Sequence, residues 1–470
     1  MENANHMEPH FMHPHRKNPQ VKPEKAGRPS QPARIIAGSF ALVILIGAVL
    51  LMLPIASKTG TFTPPLSALF TATTSTCVTG LVVYDTFSHW SLFGQAVILV
   101  LIQIGGIGLV TLATFFTLLM RQKIGLNNLV LAQESVNSGS LRNLHSLVKL
   151  VVFSTLVVEL AGALLLATRF IPRYGAEGIW ISIFTAVSAY CNAGIDIFGR
   201  EVPFGSLTAF SGDVVVNVTI MLLIIIGGLG FIVFQDILSY RKKRHLMLHT
   251  RTVLFVTAVL ILVGAVVFFI VEYSNPATLG NMPLWKKILA SCFQSVTSRT
   301  AGFNTVDLAG MHDPTKLFMC VLMFIGAAPG STGGGIKVTT FMVLAMTVVG
   351  TLRNKTQTTI MRRRVDHMVV YRALAITVLS VCVCIVTACI ILVENDVTTI
   401  DGIFEAFSAF GTVGLSTGIT PTLGIVSKIA LILTMFIGRV GSISFMLAIT
   451  LRLAYHPRRL VLPEGQIIVG

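Results

Sequence analysis

The sequence predicts an all-α integral membrane protein built from four copies of one unit, and three observations carry that expectation. First, 53% of the 470 residues are hydrophobic and 12% are charged. With a mean hydropathy of +0.80, the chain has too little polar surface for a water-soluble globule. Second, apolar runs cover residues 35–55, 91–120, 146–168, 214–238, 252–272, 317–328, 338–350, 373–393 and 425–451, and most can cross about 30 Å of hydrocarbon as a helix. Counting the run broken at 329–337 as one interrupted helix, they make eight spans. Third, four short polar strings close on a glycine followed by an apolar residue: Val78-Thr79-Gly80-Leu81, Asn192-Ala193-Gly194-Ile195, Thr300-Ala301-Gly302-Phe303 and Thr412-Val413-Gly414-Leu415. Their glycines are 114, 108 and 112 residues apart, which is a fourfold internal repeat.

Residues 1–34 are polar and rich in proline and histidine, the composition of a disordered tail. His6, His10, His13 and His15 offer metal ligands, but a flexible tail without structural role is the favoured reading. The first unit, residues 35–120, sets the plan. A span from Ile35 to Pro54 leads through a polar outer loop to Pro64-Pro65, which opens a segment through Ser75 too short to cross. Proline suits the first turn of a helix, so this segment reads as a half-helix dipping into the membrane. After its glycine string, Tyr84, Asp85 and His89 return the chain to water, and a second span runs from Ser91 to Met120. The units at 145–240, 250–352 and 369–455 repeat the order, with dipping segments at 178–190, 284–298 and 400–410, before a tail at 456–470. Serines and threonines concentrate in the dipping segments, as at Ser182, Thr185 and Ser188, or Ser291, Ser295, Thr297 and Ser298. Non-helical backbone at membrane depth is tolerated only under protein cover or beside a watery cavity, so four such strings should converge on one axis.

The second spans repeat as well. Each carries a glycine motif: Gly105-Gly106, Gly227-Gly228, Gly326, and Gly438 with Gly441. These lie 25, 33, 24 and 24 residues beyond their string glycines, the extra length of the second unit falling in its polar loop from Arg200 to Asp213. Basic residues cluster in the N-terminal tail, at 121–149, 241–251 and 353–372, and after 452. The positive-inside rule then makes this a multi-pass plasma-membrane protein with both termini cytoplasmic. The net charge of +15 is therefore a topology signal and no footprint of nucleic acid, although a basic inner face would attract anionic membrane lipids or an acidic partner. The seven cysteines follow no disulfide or zinc spacing, and Cys320, Cys382, Cys384 and Cys389 read as small core residues in apolar runs.

A monovalent cation sheds water only where something replaces it, and carbonyls turned toward a narrow axis do so without charge. Turning successive carbonyls one way needs a backbone conformation that glycine adopts freely. The dipping helices would each point a negative dipole end, worth about half a charge, below the strings. The expected selectivity filter is therefore Val78, Thr79 and Gly80; Asn192, Ala193 and Gly194; Thr300, Ala301 and Gly302; and Thr412, Val413 and Gly414. Its metal is K+, held by backbone carbonyls at Gly80, Gly194, Gly302 and Gly414, since glycine in all four units favours a larger, weakly hydrated ion over sodium.

These four span–loop–span units, the strings TVGL, NAGI, TAGF and TVGL, and the broken third inner helix resemble the Ktr/Trk/HKT superfamily of potassium transporters, and most of all its KtrB-type membrane subunit. The resemblance covers residues 35 to about 455. It implies potassium uptake stimulated by Na+ and a homodimer with one pore per subunit. It also implies a cytosolic ring of KtrA-like regulatory subunits carrying Rossmann-like RCK domains, so that nucleotide acts only through that partner. The basic loops 239–251 and 351–372 are candidate contacts for the ring, with a simple solvated face the equal alternative.

In the third unit the second span breaks at Gly326-Ala327-Ala328-Pro329-Gly330-Ser331-Thr332-Gly333-Gly334-Gly335-Ile336-Lys337. Such a stretch cannot hold a helix, and unpaired backbone cannot face lipid, so it should lie in the pore under the filter as a gate. The resemblance implies the same: an intramembrane loop that obstructs permeation and moves on activation. A Walker phosphate loop fails, because Ile336 separates the last glycine from Lys337. Lys337 is expected at the cytoplasmic mouth or paired with an acid. Arg439 stands in the last span, where a charge costs about 2.5 to 3.5 kcal/mol, so it should face the pore and pair with loop carbonyls. Glu159 is a buried acid without an assignable role. The alternative class is a secondary transporter coupling cation or solute uptake to sodium or protons, but that class brings two inverted halves and membrane carboxylates. Nothing supplies a nucleophile or an acid–base pair for an enzyme.

Overall fold

The computed structural model describes residues 31–108, 111, 114, 144–200, 202–355 and 357–441. The histidines of the N-terminal tail and the C-terminal tail lie outside the described residues. In the first unit, α1 (Gln31–Met52) is followed by α2 (Pro65–Thr76), the short α3 (Thr86–His89) and α4 (Leu92–Ile107). The second has α5 (Leu144–Tyr174), α6 (Glu177–Tyr190), α7 (Val214–Leu229) and α8 (Phe231–Lys243). The third has α9 (Leu248–Glu272), α10 (Leu284–Thr297), α11 (Asp313–Phe324) and α12 (Val338–Leu352). A two-stranded antiparallel hairpin, β1 (Thr359–Ile360) with β2 (Arg363–Arg364), leads to α13 (His367–Glu394), α14 (Thr399–Gly411) and α15 (Ile425–Val440).

The distribution of polarity is that of a chain dissolved in lipid. Helices α1, α5, α9 and α13 contain apolar stretches long enough to span a membrane, and they turn Leu45, Leu160, Leu262 and Val393 outward. The short helices α2, α6, α10 and α14 bury hydroxyls instead, among them Thr73, Thr74, Thr185, Ser188, Ser295 and Ser408. Polar groups inside and alkyl groups outside is the arrangement expected where no water is present to solvate an exposed donor or acceptor. Cys320 and Cys384 are buried as expected, whereas Cys382 and Cys389 are exposed on the outward side of α13.

Each unit ties the end of its first long helix to the start of its second. Ser91 caps α4 and donates to the Ile55 carbonyl at 2.6 Å. In the third unit, Glu272 at the end of α9 accepts from His312 N at 3.0 Å and from Thr315 Oγ1. In the fourth, Glu394 accepts from Val426 N at 3.0 Å and Ser427 N at 2.6 Å at the start of α15, where a carboxylate also complements the helix dipole. Between units, Lys316 of α11 pairs with Asp401 of α14 at 3.0 Å, with side chains 7% and 16% exposed. Breaking such a pair on one side leaves a buried charge, so Lys316→Met is expected to cost about 3 kcal/mol, and Lys316→Met with Asp401→Leu to recover most of it. Thermal unfolding of the three purified variants in detergent checks this.

Two expectations need correction. The run 214–238, read as one span, is broken at Gly230, where α7 and α8 meet at 95°. The run 91–120 leaves its helix at Ile107, and little beyond Gly108 is described. Gly108, Gly230 and Gly441 have φ of 87°, 90° and 92° and end their helices alike. A left-handed residue stops a helix there, and glycine adopts it without strain. Among the described residues, the inner helices of the first, second and fourth units thus stop at the same kind of glycine, and the third at the segment 326–337.

Candidate permeation site

The four glycine strings follow directly on α2, α6, α10 and α14, and the hydroxyl-rich ends of those helices hold them. Gly80 N donates to Thr74 Oγ1 at 3.0 Å and Gly414 N to Ser408 Oγ at 3.1 Å. Ser188 Oγ donates to the Ile195 carbonyl and Thr297 Oγ1 to the Phe303 carbonyl, both at 2.6 Å. The middle amides of the strings turn back onto carbonyls of the same helix ends, Thr79 N on Thr74 at 2.8 Å, Ala193 N on Ser188 at 2.7 Å, Ala301 N on Thr297 at 3.0 Å and Val413 N on Ser408 at 2.9 Å, so each string is held from behind by its own short helix.

Backbone torsions repeat from string to string. Val78, Asn192, Thr300 and Thr412 have φ of 56°, 60°, 75° and 49°, and the glycines two residues later have φ of 102°, 64°, 86° and 88°. A left-handed valine or threonine is strained and persists only where the surroundings enforce it. The strings also meet. A β-carbon on Gly80 would lie 2.5 Å from the Ala193 carbonyl oxygen, and one on Gly302 the same distance from that of Val413. One on Gly194 would overlap the Ala301 carbonyl, and one on Gly414 that of Thr79. First touches second, second third, third fourth, and fourth first.

Above the glycines lies a cavity of about 480 Å³ lined by all four of them together with Asp85, Asp196, Asn304, Asp307 and Ser416. Asp85, expected to face water, is instead buried and accepts from Ser88 N at 2.8 Å and Phe204 N at 3.1 Å. Asp196, in the loop beyond its string, was not anticipated. Burial, followed by the nearby charge of Asp85, raises its carboxyl to about 6 despite a hydrogen bond from Phe198 N. Above that pH it adds a negative charge to the mouth, and below it the charge is lost. Cation flux is therefore expected to fall about two- to threefold as external pH drops from 7 to 5, and Asp196→Asn to flatten the profile at the lower value.

The glycine-rich segment 326–337 lies inside the bundle beneath the strings. Its neck is closed by Gly326 N on the Ile336 carbonyl at 2.9 Å and Ile336 N on that of Phe324 at 3.2 Å. Its body docks on the α7–α8 break: Ala328 N donates to the Gly228 carbonyl at 3.0 Å, Thr332 N to that of Gly227 at 3.3 Å, and Phe231 N to that of Gly330 at 2.9 Å. Its crown reaches a string, with Gly334 N donating to Thr412 Oγ1 at 3.0 Å. Sequence reasoning missed this seat because Gly227-Gly228-Leu229-Gly230 reads equally as a helix-packing motif.

Arg439 donates to the Thr332 carbonyl of the segment and to those of Gly105 and Gly106 at the end of α4. Among the described residues Lys337 pairs with no acid: its Nζ turns back onto the Gly333 carbonyl at 2.7 Å, because the tight neck leaves a nearby carbonyl as its acceptor. Glu159 accepts from Gln103 Nε2 at 3.0 Å and lies 3.7 Å from Cys191 Sγ, which joins α4, α5 and the second string.

A chain of helices that are apolar outside and hydroxyl-lined within, closing four strained strings into a ring, is a membrane transporter. The family model described as TrkH, cation transport protein, matches residues 19–455, and the chain belongs to that family, whose members are transporters and not enzymes. It is 40% identical over 443 residues to the Ktr system potassium uptake protein B of Bacillus subtilis, covering 93% of this chain and 97% of that one. It is 39% identical to the protein of the same description from Vibrio alginolyticus, over 95% and 96% of the two chains. It is 37% identical to the potassium/sodium uptake protein NtpJ of Enterococcus hirae, over 93% and 97%. Among solved structures, the potassium transporter TrkH of Vibrio parahaemolyticus superposes with a TM-score of 0.66 over 90% of this chain and 85% of that one, at 16% identity, a likeness of fold.

Proposed function

We propose that the protein takes up potassium through a conduit whose selective part is the ring of four glycine strings. The observation that carries this reading is the cyclic contact, in which each glycine abuts the carbonyl that precedes the next glycine. Backbone oxygens around such an axis replace the hydration shell of a large monovalent cation, and the acidic cavity above concentrates cations at its mouth. The units at 35–120, 145–240, 250–352 and 369–455 are then four copies of one pore element. Segment 326–337 is the gate beneath them, held shut by Arg439, and the protein sits in the plasma membrane with both termini in the cytoplasm. The names of its relatives, with "Ktr system" and "potassium/sodium uptake" among them, support potassium as cargo, sodium as a stimulating or second ion, and work within a multi-subunit system. That system would be a homodimer on a nucleotide-binding ring, with the exposed arginines of the hairpin, Arg362, Arg363 and Arg364, as one point of contact. The test is flux from proteoliposomes of the purified protein loaded with potassium, rubidium or sodium. Potassium and rubidium should cross well ahead of sodium; equal rates for all three would sink the filter assignment.

A further inference from the structure

We infer that Arg299 is a positioning residue that stands in for the missing turn of the third inner helix and moors the shoulder of the loop, an inference that rests on the reading of segment 326–337 as the gate. Arg299 lies between α10 and the third string, and is 7% exposed. The positions that correspond to it, three residues before each glycine, are Cys77, Cys191 and Gly411, all small and uncharged. A cation therefore occurs at this place in one unit alone, directly behind a site meant for cations, where its charge is unhelpful unless it has other work.

The packing shows what that work is. In the other three units the inner helix leans on the end of the preceding short helix: a β-carbon on Gly105, Gly227 or Gly438 would overlap the carbonyl of Thr76, Tyr190 or Phe410. In the third unit the corresponding glycine, Gly326, faces the Gly334 carbonyl of the loop, so the helix-to-helix seat is lost. The helix ends here too, and the Gly326 carbonyl has no amide one turn on to accept from. Arg299 Nη2 fills the vacancy, donating to the Gly326 carbonyl at 3.3 Å. No carboxylate pairs with Arg299 among the described residues, and its Nε has no partner there. This guanidinium is held for one backbone acceptor. Because Thr300 follows it directly, the contact joins the filter string to the point where the loop begins, and the loop has a fixed end to swing from.

The experiment compares resting potassium efflux from proteoliposomes for the wild type, Arg299→Gln, Arg299→Lys, a variant lacking residues 330–335, and that deletion combined with Arg299→Gln. Loss of a charge-assisted bond at a closed gate should raise resting efflux at least about tenfold in Arg299→Gln. Arg299→Lys keeps a donor within reach and should stay within about twofold of wild type. In the deletion background Arg299→Gln should change nothing, since no loop remains to moor. An equal change in both backgrounds, or a lysine variant that leaks as the glutamine variant does, overturns the mooring role. No rise in efflux from the deletion alone overturns instead the gate assignment beneath it. Elution and melting of each variant in detergent separate these outcomes from misfolding, which would lower efflux in every background.

Discussion

Gly302→Ser is expected to lower potassium flux by about 10- to 100-fold and to let sodium compete, because two penalties of about 1–3 kcal/mol act at one position. The residue has φ of 86°, a conformation that a side chain resists. Its β-carbon would also lie 2.5 Å from the Val413 carbonyl oxygen and 2.9 Å from the Gly194 α-carbon, so both neighbouring strings must give way. The clash involves backbone on both sides, and no rotamer relieves it. Growth of a potassium-uptake-deficient bacterium at low potassium, with sodium competition measured in proteoliposomes, reads both effects. Equal rescue by the serine variant and the wild type would remove Gly302 from the selective ring.

Arg439→Ala should act in the opposite direction. The guanidinium binds the Thr332 carbonyl of the loop and the Gly105 carbonyl of α4, so it bridges the proposed gate to a neighbouring helix. Hydrogen bonds that involve a charge contribute about 1.5–3 kcal/mol. Loss of the bridge would shift the closed loop toward the open one by at least about tenfold. Resting efflux should rise accordingly while the preference for potassium over sodium stays as in the wild type, since the strings are untouched. Arg439→Lys keeps the charge but reaches one wall at a time, and should fall between the two. Unchanged resting efflux in Arg439→Ala would remove the latch.

The parts of this molecule that could be read from its sequence are those where one residue type has one physical use. Pro64-Pro65 marks the start of α2 because proline suits a first turn. The four string glycines stand out because no other residue fits both the left-handed backbone and the close approach. Arg439 was legible because a lone charge in an apolar span needs an acceptor inside the protein. What escaped notice is where one residue has two uses. Gly227, Gly228 and Gly230 serve close helix packing and a sharp break equally well, and only the carbonyls and amides that the loop satisfies decide between them. Asp85 looked like a solvent residue, and its role depends on the Phe204 amide, 119 residues away. Glu159 kept its partners hidden for the same reason, since Gln103 and Cys191 reach it from separate elements.

The circular arrangement of the strings has a consequence for how such a molecule can change over time. A file of neighbours with two ends can absorb a misfit at an end, but a closed circuit has none, so a bulkier residue in one quadrant has to be answered by its flanking quadrants. Second-site revertants of a damaged string should accordingly map to the adjacent quadrants before the opposite one. A string in this position therefore cannot change its bulk independently of the two that touch it.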